Sequence, residues 1–276
     1  MKFLARFETV NDLENLARLR GHLEKLGRVA VAFSGGVDSS FLLKIAHDAL
    51  GENAIAVTVS SCFVPERERL SAKRFCEAEK IRQIVFAGNP LAIGGVAKNP
   101  ANRCYLCKKN IFENIVRIAN ENGVQNVVDG TNADDSGDYR PGLAALRELK
   151  IGSPLLELGF SKENIRRMSK IVGLKTWDNP SFACLASRFA YGEPLTEKEL
   201  SRVEKAEDFF LAAGFRQIRV RVHGNLSRVE VLPSEMEKAL RMRSEITDKL
   251  KSLGFDYVTL DLNGFKSGSM NLNVRG

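Results

Sequence analysis

The chain has 276 residues, 41 of them basic and 34 acidic, for a formal net charge of +7. At roughly 150 residues per domain this accommodates two domains, each able to bury a core. A hydrophobic share of 44% beside 27% charged residues excludes a fibrous or largely disordered chain. The longest apolar runs, such as residues 29–33, fall far short of the ~20 residues a membrane-spanning helix needs. Arg6 and Glu8 stand where a secretory leader would be apolar, so no signal peptide is expected, and the expected compartment is the cytoplasm, where thiols stay reduced. Five cysteines are then expected as core residues, nucleophiles or metal ligands rather than as a disulfide framework. The modest basic excess fits phosphate-bearing ligands or RNA, and equally an ordinary solvated surface.

No repeat or low-complexity tract is present. Polar, periodic sequence over 11–26 predicts an amphipathic helix, and the apolar run 29–33 a buried strand. Ser34-Gly-Gly-Val-Asp-Ser-Ser40 follows, then Phe41, Leu42, Ile45, Ala46 and Ala49 at helical spacing up to Gly51. Residues 54–59 predict a second buried strand, 66–78 a helix and 81–86 a third strand. Ile111, Phe112, Ile115, Ile118 and Ala119 line one helical face that stops at Gly123, before a fourth strand over 124–128. Strands alternating with helices predict right-handed crossovers and a parallel sheet, an α/β domain.

The rhythm changes after about residue 180. Thr196-x-x-Glu199 predicts a helix N-terminus with Leu200, Val203, Ala206 and Phe210 inward, ended by Gly214. Residues 217–222 and 227–232 alternate as strands. Ser234-x-x-Glu237 predicts one further helix carrying Met236, Leu240, Ile246, Leu250 and Leu253 inward, and 257–262 a last strand. This is an α+β pattern. The expected domains are 1–188 and 189–276, with Tyr191-Gly-Glu-Pro194 as linker.

The segment from Ser34 to Ser40 is the most informative. Its two glycines let the backbone turn tightly and approach a ligand. The following helix points unpaired N–H groups and its positive dipole end at the loop, and Ser34, Ser39 and Ser40 add hydroxyls, so a cradle for a phosphate-type anion is expected. No Gly-Lys-Ser/Thr pair marks a Walker A loop, and no third glycine stands at dinucleotide-fold spacing. Gly130-Thr-Asn-Ala-Asp-Asp135 follows the fourth strand, at the sheet edge where open α/β folds bind ligands.

The strand–Ser-Gly-Gly-Val-Asp-Ser–helix segment resembles the loop of the pyrophosphate-loop ATPases of the adenine-nucleotide α-hydrolase fold. The resemblance implies a parallel α/β sheet of that type with a smaller C-terminal α+β domain, ATP and Mg²⁺ as requirements, and AMP and pyrophosphate as products. It assigns Ser34, Gly35, Gly36, Asp38, Ser39 and Ser40 to the pyrophosphate, and Gly130, Asn132 and Asp134 to a second nucleotide-facing loop. Asp134 and Asp135 are read either as contacts to Mg²⁺ or a ribose hydroxyl, or as an ordinary acidic turn.

Cys104-Tyr-Leu-Cys107 has a spacing suited to a shared metal or cluster, and thiolates are soft ligands for zinc or iron–sulfur. One pair alone does not close a tetrahedral zinc site. Cys184 lies between Pro180 and Arg188, and a nearby guanidinium would favour its reactive thiolate. Cys62 and Cys76 read as core or surface residues. Arg219 and Arg221 alternate along one strand and so share a face, where guanidinium forks match phosphate.

Arg103-Cys-Tyr-Leu-Cys-Lys108, Gly-Thr-Asn at 130–132, Tyr139-Arg-Pro-Gly142, Pro180-Ser-Phe-Ala-Cys-Leu-Ala-Ser-Arg188 and Arg219-Val-Arg-Val-His223 together resemble LarE, over nearly the whole chain and in the same order. These are the pyridinium-3,5-biscarboxylic acid mononucleotide sulfurtransferases, which build the nickel-pincer nucleotide cofactor of lactate racemase. The resemblance implies adenylylation of a pyridinium carboxylate and replacement of the adenylylated oxygen by sulfur. Some members sacrifice one cysteine, here matched by Cys184. Others pass on a sulfide bound to a 4Fe-4S cluster held by three cysteines, here matched by Cys104, Cys107 and Cys184. All three are present, so the cluster route is the expectation. The resemblance further assigns Arg219 and Arg221 to the substrate phosphate, with Ser187 and Arg188 nearby, makes Glu207 a metal contact, and implies a homo-oligomer without nucleic-acid or membrane partners. The rival readings are a tRNA-thiolating relative, which would want a broad basic surface or an RNA-binding module, and a non-catalytic nucleotide-binding scaffold.

Overall fold

Runs of β-branched and apolar residues build a parallel sheet from β1 (Val29–Ala32), β2 (Ala54–Ser60), β3 (Gln83–Ala87) and β4 (Asn126–Val128), in the order β3-β2-β1-β4. The computed structural model describes residues 10–137, 141–180 and 183–266. Helices α1 (Val10–Leu26), α2 (Val37–Leu50), α3 (Glu66–Glu79), α4 (Arg103–Glu121), α5 (Gly142–Glu148), α6 (Pro154–Glu157) and α7 (Lys162–Ile171) accompany the sheet.

Strand residues alternate between two faces. Val29, Val31, Ala54 and Ala56 join a core with Leu19 and Leu23 of α1, Phe41 and Ile45 of α2, Cys76 of α3 and Ile165 and Met168 of α7. Ala30, Ile55 and Val57 join a second core with Phe112, Ile115 and Ile118 of α4 and Leu146 of α5. The chain steps outward from β1 to β2 to β3, then returns past β1 to β4. Right-handed crossovers therefore put α2 and α3 on one face and α4 on the other. The loops after β1 and β4, two neighbouring strands that leave in opposite directions, flank the point where such sheets bind ligands.

Among the described residues the chain forms two compact units. The first takes residues 10–61, 66–88 and 104–180; the second takes 62–65, 89–103 and 183–266. Backbone hydrogen bonds from Leu185 N to Phe63 O (2.9 Å), Gly192 N to Asn99 O (2.8 Å) and Leu195 N to Ala97 O (2.8 Å) tie the two early segments to the later one.

In the second unit α8 (Glu197–Ala212) begins at Thr196, whose hydroxyl accepts from Glu199 N at 3.2 Å, and it buries Leu200, Val203, Ala206 and Phe210 as the periodicity predicts. β5 (Ile218–His223) and β6 (Leu226–Val231) pair antiparallel, and β7 (Tyr257–Leu260) adds to β6 in parallel. The single helix expected after Ser234 is instead two, α9 (Met236–Arg241) and α10 (Arg243–Ser252). The six-residue step from Leu240 to Ile246 is out of phase with a 3.6-residue repeat, so an unbroken helix could not bury both. The chain breaks at Met242, Ile246 and Leu250 are buried, and Leu240 is exposed.

Helix α7 is absent from the sequence reading, although its signals are in place. Ser161 and Asn164 form a reciprocal capping box, with Ile165, Met168 and Ile171 buried behind it. Tyr139, Arg140, Ser181 and Phe182, parts of two quoted motifs, lie outside the described residues.

Candidate active site

The Ser34–Ser40 segment forms the turn from β1 into α2. Gly35 takes a left-handed φ of 77°, and a Cβ there would stand 3.1 Å from the Ala72 Cβ, so both conformation and space call for glycine. Ser34 Oγ and Ser39 Oγ lie 3.1 Å apart, Gly36 N donates to Ser34 Oγ (3.4 Å) and Ser39 Oγ to Gly36 O (3.2 Å). Helix α2 starts at Gly36 without a side-chain cap, leaving its first-turn amides for a ligand.

The second loop meets the first at backbone distance. A Cβ on Gly130 would stand 2.9 Å from Ser39 N. Buried Asp129 sets the loop's shape: it accepts from Thr131 N (3.2 Å), Thr131 Oγ1 (2.5 Å) and Ser153 Oγ (2.7 Å). Asn132 N donates to Asp135 Oδ2 (3.0 Å), and Asp134 N to Asn132 Oδ1 (3.0 Å). Asp134 Oδ2 also accepts from Lys162 N at 2.8 Å, which binds the loop to the start of α7. Asp134 and Asp135 thus each accept a backbone hydrogen bond in this structure.

Lys162, which sequence reasoning missed, sends its Nζ to Asp38 Oδ2 in the glycine loop. Burial pushes the Asp38 carboxyl above the ordinary range, against the pull of Lys162. Asp38 Oδ1 and Ser40 Oγ are buried with no hydrogen-bond partner. Buried polar atoms are normally satisfied. Two unsatisfied ones beside uncapped amides, a lysine and a glycine-lined turn fit a phosphate chain with its counter-cation.

Cys104 and Cys107 occupy the first turns of α4, three residues apart and therefore on one face, both half-buried. The neighbouring Tyr105 and Lys109 are bound to Glu148 through contacts of 2.9–3.1 Å. Cys184, exposed, belongs to the other unit. No group of three or more His, Cys, Asp or Glu among the described residues is arranged to hold a metal ion. Two of the three expected cluster ligands, Cys104 and Cys107, share a helix face.

Arg219 and Arg221 are buried on β5. Arg221 donates from Nη2 to Glu230 Oε2 (2.9 Å) and from Nη1 to Ser187 O (3.1 Å), while its Nε is buried without a partner. A fixed, partly unsatisfied guanidinium fits an anion such as a phosphate monoester. Arg219 donates to Ile218 O (2.7 Å) and lies 5.3 Å from the Phe265 ring centre.

Arg188 and Glu207 are brought together inside the second unit. Both are 0% exposed. Arg188 Nε and Nη2 donate to Glu207 Oε1 and Oε2, each at 2.9 Å, and Val220 N also donates to Oε1 (3.2 Å). In this structure the Glu207 carboxylate, expected at a metal, is held by the Arg188 guanidinium.

The parallel sheet with a glycine-rich cradle at its switch point defines the pyrophosphate-loop class of α/β proteins. One subunit of the glutamine-hydrolysing GMP synthase of Thermoplasma volcanium matches part of the chain, at 27% identity over 54% of this chain and 53% of its own length. No protein-family model matches the chain. An uncharacterized protein of Synechocystis is 41% identical over 95% of this chain and 97% of that protein. The pyridinium-3,5-bisthiocarboxylic acid mononucleotide synthase of Lactiplantibacillus plantarum is 36% identical over 92% of this chain and 93% of its own. The chain belongs to the LarE family of such synthases and is an enzyme.

Proposed function

We propose that this enzyme uses ATP to insert sulfur into a carboxylate of pyridinium-3,5-biscarboxylic acid mononucleotide, forming the thiocarboxylate needed for a nickel-pincer nucleotide. Full-length similarity to a synthase named for the bisthiocarboxylic product supports the substrate class. The observation that carries the ATP-dependent step is the convergence of Asp38, Ser40 and Lys162 on the glycine loop. We place the protein in the cytoplasm as a homo-oligomer acting on a small mononucleotide rather than on nucleic acid.

In the first step a substrate carboxylate oxygen attacks the α-phosphorus of ATP and pyrophosphate leaves. Ser34, Ser39, the first-turn amides of α2 and Lys162 hold the departing phosphates, and these donors are fixed before reaction and need little reorganisation. Mg²⁺, when bound, neutralises phosphate charge, and Asp38 is the residue of this chain to hold it. Gly130 and Asn132 keep the second loop against the first. Arg219, Arg221 and Ser187 receive the substrate phosphate.

In the second step the Cys184 sulfur attacks the acyl carbon and AMP leaves, giving a thioester. Cleavage of the Cys184 Cβ–Sγ bond with loss of its Cα proton then releases thiocarboxylate and leaves dehydroalanine. That is the sacrificial route; the source expected from the cysteine set, a sulfide on a 4Fe-4S cluster that Cys104, Cys107 and Cys184 would hold, is supported by Cys104 and Cys107 sharing a helix face.

Purified protein given ATP, Mg²⁺ and the dicarboxylate should release AMP, pyrophosphate and thiocarboxylate. ADP as the product would overturn the reading. Intact mass after one turnover separates the sulfur sources: loss of one H₂S marks Cys184, and an unchanged mass with a Cys104-dependent iron–sulfur absorption marks the cluster.

A further inference from the structure

The segment 183–189 is held by hydrogen bonds along almost its whole length, although its cysteine is exposed. Cys184 O accepts from Ser187 N (2.9 Å), Ser187 Oγ (2.7 Å) and Arg188 Nη1 (2.9 Å). Arg188 Nη1 also reaches Ala183 O and Ser187 Oγ. Leu185 N donates to Phe63 O (2.9 Å), Ala186 O accepts from Arg103 Nη1 (3.0 Å), and Phe189 bridges to Val222 of β5. All of these residues lie in the second unit.

Two buried ion pairs stand behind this segment. Glu207 grips Arg188 through two bonds, which fixes the fork that reaches the Ala183 and Cys184 carbonyls. Glu230, also 0% exposed, grips Arg221, whose other arm holds Ser187 O. A fully buried ion pair is weak evidence for stability, since similar apolar residues often serve as well. What apolar residues cannot do is donate to two successive carbonyls beside a reactive thiol.

We infer that Arg188 and Glu207 are positioning residues for Cys184: the pair locks the backbone that presents the thiol. The inference rests on the reading of Cys184 as the sulfur-delivering residue. Because Arg221 holds the same segment through Ser187, the phosphate-binding strand and the cysteine are set by one hydrogen-bonded frame.

The test compares wild type with R188K, which keeps the charge and loses the fork, and with R188M/E207L, which removes both buried charges together and so avoids an unpaired one. Pre-steady-state assays follow pyrophosphate release and thiocarboxylate formation separately. The expected result is thiocarboxylate formation slowed by about tenfold or more, with pyrophosphate release and the substrate KM within about twofold of wild type. A KM raised about tenfold with the transfer rate preserved would make Arg188 a substrate contact and overturn the inference. A second readout needs no catalysis. Maleimide labelling of Cys184, followed by mass spectrometry with Cys104 and Cys107 as internal references, should change several-fold in the folded double variant, with lost amide-exchange protection at Leu185 and Ser187. Unchanged labelling and protection also overturn the inference. If wild type forms no thiocarboxylate, the proposed function fails, while the labelling result still decides whether the pair positions Cys184.

Discussion

Gly130 and Ser39 touch backbone to backbone: a Cβ at position 130 would stand 2.9 Å from the Ser39 nitrogen and 3.1 Å from its Cα. Neither atom belongs to a flexible side chain, so only a shift of the second loop or of the α2 N-terminus could relieve the contact. Gly130→Ala should lose about 1–3 kcal/mol of stability, as overpacking does. It should also weaken ATP binding, because the displaced element carries the amides proposed to hold the phosphates. Thermal melts and nucleotide titration check both effects. Wild-type ATP affinity would show that the two loops do not form one site.

Lys162 supplies the positive side chain on the Asp38 carboxylate. Lys162→Met should weaken ATP binding by about 10- to 100-fold, the scale of one charge-assisted bond. Asp38 already titrates above its ordinary value because it is buried, and Lys162 holds it down. Removing the lysine raises the Asp38 pKa further, so the pH at which binding fails on acidification should move upward. Binding curves from pH 4.5 to 8 test the direction, and an unmoved or downward limb contradicts it.

Cys76 sits on the buried face of α3, in the core, and burial pushes its pKa from 9.0 to about 12. The folded state therefore keeps this proton where the unfolded chain loses it. Stability from the neutral thiol is fully present below pH 9 and is lost as pH rises towards 12. The loss should be at most about 1.4 kcal/mol per pH unit within that window. Cys76→Val should flatten this alkaline slope in denaturant titrations at pH 8, 9.5 and 10.5. An identical slope in both proteins would remove Cys76 as its source.

Arg167 of α7 grips Asp12 of α1 with Nη2 to Oδ1 at 2.7 Å and Nε to Oδ2 at 3.1 Å, and the Asp12 carboxylate is fully buried. Asp12→Ala should cost about 2 kcal/mol, the value of charged hydrogen bonds lost from a buried site. The Arg167→Ala, Asp12→Ala double variant should cost clearly less than the sum of the two singles, measured by chemical denaturation. Additive losses would mean the pair does not act as a unit.

Much of the fold was legible in the chain itself. The apolar run into Ser34-Gly-Gly, the helical spacing of Phe41, Ile45 and Ala46, and the Thr196 cap all express interactions within one turn or one strand. The parallel sheet followed from their alternation. The out-of-phase step before Ile246 was visible too, yet only the broken helix showed which residues it sacrifices. The candidate site was half legible: Ser34–Ser40 and Gly130 could be read, because a glycine turn before a helix binds anions through its own backbone.

Lys162, Asp129 and the burial of Arg188 could not be read in this way. Lys162 meets Asp38 across 124 positions of sequence, and Arg188 meets Glu207 across 19. No local periodicity records either pairing. The sequence by itself determined the elements and the phosphate loop, because those rest on short-range backbone geometry and on the alternation of apolar residues. Tertiary structure alone decided which charges face one another. A buried guanidinium and a solvated one have the same residue name, and their chemistry is set by what the fold packs against them.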